Sequence, residues 1–541
     1  MSKEVDLKRL PFDCTSFGAL RKDNQIYVDK TGLIAKFADF DVTYFLARPR
    51  RFGKSLLIDT LADLFSNGLR NFKGLDIENI WHDTTYKVMR LNFSGYDYDT
   101  VEDFITNLSS ELYRNTEFKN EIERLDAYGK SYEPSVIMKQ IAQKMEDRSY
   151  VLLIDEYDTP FTRLLNDHKN FNKLVKIFNN FYSTLNEYSN KFRLIFITGI
   201  TRVSNLSIFS DFNNLVELTL DNDYANLLGI TEDELKKYFH PYVEYASKML
   251  NMPVSDVYAA LKERYNGFRF SFTSNETLYN PWSIINFFFN VKNGFEDYWF
   301  KSGGTPPILV NYLKSNPNFD IWEYKHRKLP ITKEELEAKS DFFNIPTKLL
   351  LTQAGYFTLS ECNEISARLM FPNLEVEERM LGLYLKANNM RVDGDTIYYI
   401  GNNIIQYIDA HDINNLIELF NRIANDCASP QSKFFNDEYT LRDLFYATIP
   451  NTPSLFKHKE REYTDGRSDL ELITSKTHLV IEFKLTRTNR SADTVLKEGI
   501  AQIKSKRYGE TVFSRQSLFK IVLVASHKEK RILPEYSTVV D

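Results

Sequence analysis

The first 220 residues alternate short apolar runs with longer stretches in which apolar positions recur at helical spacing. The clearest strand candidates are residues 44–47, 87–93, 150–154 and 193–198. Helical patterns lie between them, for example at residues 101–115 and 170–189. Because strands that alternate with helices form parallel sheets, this region is predicted to be an α/β core.

The pattern turns mainly helical at about Thr231, where TEDEL places Glu234 three residues later, the spacing of a capping box. This helical region extends to about residue 330. Residues 341–375 differ, because NIPTKLLLTQAGYFTL predicts a helix that runs into a strand, and the turn NEIS leads to a second strand, ARLMF. A helix followed by a hairpin is typical of the end of a winged-helix module. It is equally typical of a small α+β connector with no role in nucleic-acid binding.

An α/β pattern returns in the last 120 residues. The predicted order is helix (431–447), strand, hairpin, strand (479–485), helix (493–507) and strand (519–525). A chain of 541 residues is too long for a single core. We therefore predict four regions: an α/β core at 1–230, a helical region at 231–330, a connector at 331–420 and a C-terminal α/β domain at 421–541.

Composition excludes several classes of protein. Hydrophobic residues make up 43% and charged residues 26% of the chain, as in soluble globular proteins. The three cysteines, Cys14, Cys362 and Cys427, are far apart and form no CxxC pair, which argues against a disulfide framework or a zinc site. The N-terminus has no apolar signal core, and no run reaches the roughly 18 apolar residues of a membrane span. We therefore expect a cytoplasmic protein that does not bind membranes.

The net charge of −6 says little by itself, but its distribution is uneven. Residues 457–541 contain 17 Lys and Arg against 12 Asp and Glu, so this segment carries +5 and the rest of the chain −11. A basic terminal segment on an acidic body is weakly indicative of binding to a polyanion.

The stretch RPRRFGKS at 48–55 has the second half of a phosphate-binding loop. In GxxxxGK[ST], backbone N–H groups cradle phosphate, the lysine neutralises the β- and γ-phosphates, and the hydroxyl holds Mg²⁺. Lys54 and Ser55 occupy the last two positions, between a strand candidate and an amphipathic helix. The predicted backbone contacts to the nucleotide come from Arg51, Phe52, Gly53 and Leu56. Arg48 replaces the first glycine, which puts the usual wrapping of phosphate in question.

The stretch VLLIDEYD (151–158) is an apolar strand that ends in acids, as in a Walker B motif. Asp155 is predicted to hold Mg²⁺ through water, and Glu156 to orient or deprotonate the attacking water. Arg202, just past the strand candidate 193–198, is placed to reach a γ-phosphate. A surface salt bridge explains Arg202 equally well.

Charged residues also interrupt the apolar strand LVIEFKL (479–485). Glu482 and Lys484 are two residues apart and so lie on the same face, and Asp469 begins the preceding strand of the same hairpin. Two carboxylates brought together repel unless a cation lies between them, and Mg²⁺ bound there would polarise a phosphodiester. Lys484 would then position the attacking water or stabilise the developing charge. The alternative is a solvated, charged strand face.

Several stretches together point to a known family: YVDKTGLI (27–34), RPRRFGKSLL (48–57), LLIDEYDTP (152–160), FITGITRVSNLSIFSDFNNL (196–215), YNGFRF (265–270), YNPWSI (279–284), TQAGYFTL (352–359), GRSDLEL and VIEFKL. In these the chain resembles bacterial AAA-ATPase-like proteins fused to a PD-(D/E)XK nuclease-superfamily domain. The resemblance spans nearly the whole chain. It marks Arg48 as the family's own form of the loop.

The resemblance implies a multidomain α/β fold. Its parts would be a P-loop NTPase core with a helical lid, an α+β or winged-helix connector, and a C-terminal restriction-endonuclease-like domain. It assigns Lys54, Ser55, Asp155 and Glu156 to a site for ATP and Mg²⁺. It assigns Asp469, Glu482 and Lys484 to a nuclease motif, in which the two carboxylates hold a second Mg²⁺.

Three hypotheses about function remain. The first is a nuclease that cleaves DNA or RNA with Mg²⁺ and is gated by ATP. The second is a regulatory or signalling NTPase whose C-terminal fold binds nucleic acid or a partner without cutting. The third is an ATP-independent nuclease. Intact acids and lysines at both motifs favour the first, with nucleic acid as the expected partner, and assembly into a homo-oligomer is compatible with it.

Overall fold

The computed structural model describes residues 7–12, 14–96, 100–124, 129, 131–163, 167–201, 214–301, 328–337, 345–387, 393–427, 434–449, 452, 454–463, 466–488, 490–506, 508–509 and 516–540. These residues divide into two compact units. The N-terminal unit holds the described residues of 1–289, 297–301 and 328–377, and the C-terminal unit holds those of 290–296 and 378–540. The division into four regions stays a prediction.

A parallel sheet forms the centre of the N-terminal unit. Its strands are β1 (Thr43–Ala47), β2 (Lys87–Asn92), β3 (Tyr150–Asp155), β4 (Phe192–Gly199) and β5 (Leu215–Glu217). Their order in the sheet is β2-β3-β4-β1-β5, and every pairing is parallel. Strands β1, β3 and β4 are buried along their whole length, as expected of central strands covered on both faces. The four predicted strands are confirmed, whereas β5 was not predicted.

Helices cover both faces of this sheet. Phe104 and Phe178 belong to the apolar core on one face, and Leu61 and Phe65 to the core on the other. The helices of the unit up to residue 301 are α1 (Phe17–Lys22), α2 (Thr31–Ala38), α3 (Lys54–Asn67), α4 (Val101–Asn115), α5 (Pro134–Ala142), α6 (Thr159–Arg163), α7 (His168–Glu187), α8 (Glu232–Leu250), α9 (Val254–Tyr265), α10 (Pro281–Phe289) and α11 (Tyr298–Lys301).

Two local predictions for residues 231–375 are confirmed. Thr231 and Glu234 form the capping box of α8, each side chain accepting a hydrogen bond from the other's backbone N–H. The predicted helix and hairpin are present as α13 (Thr347–Gln353), β7 (Thr358–Ser360) and β8 (Ser366–Met370). A further strand that was not predicted, β6 (Pro330–Thr332), pairs with β8, and α12 (Lys333–Glu337) follows it.

The C-terminal unit contains the strands β9 (Phe456–Lys459), β10 (Glu462–Tyr463), β11 (Gly466–Arg467), β12 (Leu470–Ile473), β13 (Thr477–Thr486), β14 (Ser517–Ser526), β15 (Arg531–Ile532) and β16 (Thr538–Val539). A mixed sheet has the order β15-β14-β13-β12-β9, with β16 also paired to β14. Strands β13 and β14 are parallel, and the other pairings are antiparallel. Strands β10 and β11 form a separate short hairpin.

Five helices begin in the described residues between Leu374 and the end of the chain, and the last two correspond to the two helices predicted for the C-terminal domain. The five helices are α14 (Leu374–Ala387), in which the boundary between the units falls, α15 (Gly394–Asp409), α16 (Ile413–Cys427), α17 (Glu438–Thr448) and α18 (Ala492–Ser505). The predicted start of the helix at residue 431 is wrong: residues 434–437 form a turn, and Asp437 caps α17 by accepting a hydrogen bond from the Thr440 N–H. Within the described part of the chain, no helix combines the length and apolar character that crossing a membrane requires.

Candidate functional sites

Strand β1 leads directly into the predicted phosphate-binding segment, which we call the Lys54 loop (residues 48–53). Gly53 has a φ of 98°, a conformation that a side chain disfavours, and α3 begins at the next residue. Arg51 is also left-handed, with a φ of 64°. Ser55, the second residue of α3, is half-buried. The loop therefore has the strand–turn–helix setting that a phosphate-binding loop requires.

The side chain of Arg48 does not obstruct the loop. It is only 1% exposed, and its guanidinium donates to the carbonyls of Ala47 (3.0 Å), Thr219 (2.5 Å) and Tyr224 (3.3 Å). It also lies 4.2 Å from the ring centre of Phe270, and burial lowers its pKa to about 9. Arg48 thus ties the start of the loop to segments that follow β5. Arg48, which replaces the first glycine, therefore leaves the loop unobstructed, because its guanidinium is hydrogen-bonded to carbonyls outside the loop.

Two tryptophans brace the rest of the Lys54 loop. The indole N–H of Trp299 donates to the carbonyl of Arg50 at 3.1 Å. The guanidinium of Arg51 lies over the ring of Trp282, 4.2 Å from its centre. These contacts hold the loop from outside and stabilise the left-handed backbone at Arg51.

Lys54 folds back on its own loop. Its ammonium donates to the carbonyls of Arg48 (2.9 Å) and Pro49 (2.8 Å), and the side chain is 5% exposed. Burial lowers the pKa of Lys54, while the charges of Glu156 and Asp155 act in the opposite direction. The structure therefore brings Lys54 near the two predicted acids, and phosphate oxygens would fit as replacements for the two carbonyl acceptors.

The acids lie at the end of β3, on the carboxyl edge of the same sheet. Asp155 is buried, and its Oδ1 accepts a hydrogen bond of 2.6 Å from the hydroxyl of Thr198 on β4, the strand between β3 and β1. Glu156 has a φ of 52°, and its Oε2 accepts from the Thr159 hydroxyl at 3.2 Å. Left-handed backbone at a residue with a side chain is strained, and such strain often marks functional sites. Thr198 was not identified from the sequence, and Arg202 lies outside the described residues.

A cavity of about 110 Å³ adjoins the loop. Phe52, Gly53 and Leu56 form one wall. The surrounding surface is mainly apolar and comes from distant parts of the chain, including Ile26, Val28, Leu227, Leu228, Gly229, Ile230, Pro281 and Ile285. The cavity could not be predicted, because no single stretch of sequence contains its walls.

In the C-terminal unit, β12 and β13 form what we call the acidic hairpin (residues 469–486). Leu470 pairs with Ile481, so Asp469, one residue before β12, lies opposite Glu482. The Asp469 carboxylate accepts a hydrogen bond of 2.8 Å from the backbone N–H of Phe483. The predicted juxtaposition of the two carboxylates on one hairpin is confirmed.

Lys484 lies at the centre of a polar cluster on this hairpin. Its ammonium is 2.7 Å from Glu482 Oε1 and 3.7 Å from Glu438 Oε2, and it donates to Gln502 Oε1 at 3.1 Å. Glu438, the first residue of α17, also accepts from the backbone N–H of Leu485 at 3.1 Å. The helices α17 and α18 therefore each supply one polar residue to the hairpin, Glu438 and Gln502.

Burial dominates the electrostatics of this cluster. Glu482 is 1% exposed, and burial, followed by the neighbouring charge of Asp469, raises its pKa. Burial raises the pKa of Asp469 as well. Burial alone would lower the pKa of Lys484, but the carboxylates around it, Glu482 foremost, hold that pKa above its usual value. The charges of Arg442 and Lys484 act in the opposite direction on Asp469, but burial outweighs them and the pKa of both carboxyls stays raised.

The donor set fits a divalent cation. Within the described residues Glu482 Oε2 is buried without a hydrogen-bond partner, and Asp469 supplies a second carboxylate opposite it. The same part of the chain contains no group of three His, Cys, Asp or Glu side chains arranged to hold a metal. Mg²⁺ commonly binds through one or two carboxylates and keeps several waters, so two ligands suffice for it.

Gly499 makes room for Lys484. A Cβ atom at this position of α18 would lie 2.6 Å from Val522 Cγ1 and 3.1 Å from Lys484 Cγ. Gly499 is one turn before Gln502, so the glycine lets the helix approach closely enough for Gln502 to reach the lysine. An isolated glycine within a helical pattern was the available signal in the sequence.

Two basic residues in the described part of the connector are paired with acids. Lys348 is 2.5 Å from Glu335, and Arg368 is 3.2 Å from Glu361. These surface pairs partly offset the positive charge of Lys348 and Arg368. A role of this segment in nucleic-acid binding stays a prediction.

Two family models match the chain. One, described as a predicted AAA-ATPase, covers residues 11–209, and the other, described as PD-(D/E)XK nuclease superfamily, covers residues 436–535. Among curated proteins, the chain is similar to the "Uncharacterized protein in vnfD 5′ region" of Azotobacter chroococcum mcd 1. The two are 27% identical over 544 residues, which is 97% of each chain. The predicted resemblance is confirmed, and the two matched ranges contain the Lys54 loop and the acidic hairpin.

Proposed function

We propose that this chain, in which an AAA-ATPase-like domain occurs together with a PD-(D/E)XK nuclease-superfamily domain, is an ATP-gated, Mg²⁺-dependent nuclease. The N-terminal unit binds and hydrolyses ATP, the C-terminal unit cleaves DNA or RNA, and the nucleotide state controls cleavage. The observation that carries the proposal is the acidic hairpin, where Asp469, Glu482 and Lys484 meet and one buried carboxylate oxygen has no partner among the described residues.

In the C-terminal unit, Asp469 and Glu482 would hold Mg²⁺, which polarises a phosphodiester and lowers the pKa of a coordinated water. Lys484 orients that water or stabilises the negative charge that develops on the phosphate. Glu438 and Gln502 keep the lysine in place, since both lie within 4 Å of its ammonium. The two carboxylates are held in place, because Glu482 lies on β13 and Asp469, directly before the paired strand β12, accepts a hydrogen bond from the Phe483 N–H.

In the N-terminal unit, Lys54 would exchange its two carbonyl acceptors for the β- and γ-phosphates of ATP. Ser55 and Asp155 would hold Mg²⁺, and the Thr198 hydroxyl orients the Asp155 carboxylate. Glu156 acts on the attacking water, and its left-handed backbone is a form of strain often found at functional sites.

The base of the nucleotide would bind in the cavity beside Gly53, because this cavity is mainly apolar and adjoins the Lys54 loop. Val28, half-buried in its wall, offers a test. Val28→Trp should fill part of the cavity and weaken binding of a fluorescent ATP analogue, while inorganic triphosphate still competes as well as it does against the wild-type chain. Equal loss of both would place the base elsewhere.

The test of function uses the purified full chain with labelled single-stranded DNA, double-stranded DNA and RNA, each with and without Mg²⁺ and with ATP, ADP or no nucleotide. We expect cleavage only with Mg²⁺, at a rate that depends on the nucleotide. Lys484→Ala should abolish cleavage, and Lys504→Ala, which removes an exposed lysine from α18, is the matched control.

Two other outcomes would each replace part of the proposal. Nucleic-acid binding without cutting, together with ATP hydrolysis, would support a regulatory NTPase. Cleavage that is the same under all nucleotide conditions would support an ATP-independent nuclease.

A further inference from the structure

The acidic end of β3 contains a third carboxyl group, Asp158, to which the mechanism above assigns no role. It is 1% exposed and lies three residues past Asp155. Its Oδ2 accepts three hydrogen bonds: from the backbone N–H groups of Ile200 (3.1 Å) and Thr201 (2.7 Å), and from the Thr201 hydroxyl (2.7 Å). One oxygen therefore holds the two residues that follow β4.

The neighbouring Tyr157 holds the same segment from its other side. Its hydroxyl donates to the Thr201 carbonyl at 2.8 Å, and its backbone N–H donates to the Thr198 carbonyl at 3.0 Å. Gly199 permits this packing, because a Cβ atom there would lie 2.5 Å from the Tyr157 ring and 2.9 Å from Asp158 Oδ1. Residues 157–158 thus lock the ends of β3 and β4 together.

This lock bears directly on the candidate ATPase site. The segment it fixes begins with Thr198, whose hydroxyl holds Asp155 Oδ1 at 2.6 Å. A shift of the end of β4 would therefore move the hydrogen bond that orients Asp155. The charge of Asp158 also acts on Lys54.

Within the described part of the chain, one oxygen of the Asp158 carboxylate lacks the hydrogen bonds expected of a buried residue with a purely structural role. Its Oδ1 is buried without a hydrogen-bond partner among the described residues. The hydroxyl of Tyr182, on α7, is buried without a partner in the same sense, and after burial itself the charge of Asp158 contributes to raising the pKa of Tyr182, so the two groups are near each other. Leaving a carboxylate oxygen buried and unpaired costs stability, which favours a role beyond folding.

We propose that Asp158 is a positioning residue for ATP hydrolysis. It fixes Ile200 and Thr201, and through them the Thr198 hydroxyl on Asp155, so that it acts on turnover and leaves nucleotide binding to the Lys54 loop. This inference rests on the proposed ATPase function of the N-terminal unit.

The test compares Asp158→Asn with Thr201→Val and Thr201→Ser in the full chain. Asp158→Asn should lower kcat for ATP hydrolysis by about tenfold or more, with the Kd for a fluorescent ATP analogue within about threefold of wild type. Thr201→Val removes the hydroxyl donor and should lower kcat several-fold, while Thr201→Ser keeps the donor and should retain wild-type turnover. Tyr182→Phe alters the same buried region without touching the three hydrogen bonds, and should also retain it.

The outcomes separate this inference from the proposed function. If wild-type chain hydrolyses ATP and Asp158→Asn does so equally well, or if kcat and affinity fall together, Asp158 is not a positioning residue. A wild-type chain that does not hydrolyse ATP contradicts the proposed function and this inference with it. Should Asp158→Asn fail to fold, the difference between Thr201→Val and Thr201→Ser decides, and equal turnover of those two overturns the inference.

Discussion

The Lys54 loop and the acidic hairpin satisfy their charged groups in opposite ways. At the loop, Lys54 donates to two carbonyls of its own backbone, and Asp155 accepts from the Thr198 hydroxyl. At the hairpin, Asp469 and Glu482 face each other with one lysine between several carboxyls, and burial raises the pKa of both acids. The first site is already closed by internal hydrogen bonds, whereas at the second the carboxyl groups outnumber the cations near them.

This difference predicts how each site responds to its ligand. Binding of phosphate at the Lys54 loop exchanges hydrogen bonds that already exist, so the net gain is moderate. Binding of a cation at the hairpin supplies a charge that the folded chain lacks, so it should stabilise the fold by mass action.

Removing one member of the acidic hairpin should abolish cleavage without harming the fold. Glu482→Gln removes a metal ligand and one of two repelling carboxyls. Cleavage should therefore fall by about 10²–10³-fold or more, while the melting temperature without metal stays equal or rises. Thermal melting with and without Mg²⁺, beside a cleavage assay, measures both. Glu535→Gln, at an exposed position of the same unit, is the control. A Mg²⁺-dependent rise in melting temperature that persists in Glu482→Gln would contradict the assignment.

Removing Lys54 should have a smaller effect, on binding of ATP. Lys54→Ala loses charge-assisted hydrogen bonds to phosphate, so affinity for a fluorescent ATP analogue should fall roughly 10- to 100-fold. Glu156→Gln should keep affinity and block turnover, because that residue serves the water. Lys36→Ala, at an exposed position of α2, is the matched control. Unchanged affinity in Lys54→Ala would remove the loop from the mechanism.

A single methyl group on α18 should separate geometry from charge at the hairpin. Gly499→Ala places a Cβ atom against Val522 and Lys484, so we expect a lower melting temperature and cleavage reduced by about tenfold. Gly401→Ala, on α15, meets nothing within 4 Å and is the control; it should be neutral or stabilising by about 0.5–1 kcal/mol. Wild-type cleavage by Gly499→Ala would show that the position of Lys484 is not critical.

The acidic hairpin could be predicted because its geometry follows from local rules. Alternation of side chains puts Glu482 and Lys484 on one face, and the short connection to the preceding strand puts Asp469 opposite them. The central strands of the parallel sheet were predictable for the same reason, since a buried strand reads as a continuous apolar run.

The parts that escaped prediction depend on contacts between distant segments. Thr198 contacts Asp155 only because β4 lies next to β3 in the sheet. The order of the strands cannot be predicted from any single stretch of sequence. The buried guanidinium of Arg48 donates hydrogen bonds to two carbonyls that lie 171 and 176 residues further along the chain. The start of α17 was misplaced because the Asp437 cap outweighs a helical pattern that begins earlier.

The smallest expected effect is a pH dependence of the metal-free fold, and it follows from the raised pKa values at the hairpin. Asp469 and Glu482 keep protons in the folded chain at pH values where the unfolded chain has lost them. Their contribution to stability is therefore fully present below the unfolded pKa values, near pH 4, and is lost as pH rises through the folded values. The slope is at most about 1.4 kcal/mol per pH unit for one proton.

Glu482→Gln removes one of these protons, so its free energy of unfolding should fall less steeply than that of wild type between pH 5 and 8. Glu375, whose pKa burial raises to about 8, contributes equally to both proteins and cancels in the difference. Urea unfolding followed by circular dichroism, without metal, gives the two curves. With Mg²⁺, wild type should lose its slope or reverse it, because the cation binds the deprotonated carboxylates. Parallel curves for wild type and Glu482→Gln would mean that the hairpin is solvated and charged like an ordinary surface, and the contrast with the Lys54 loop would disappear.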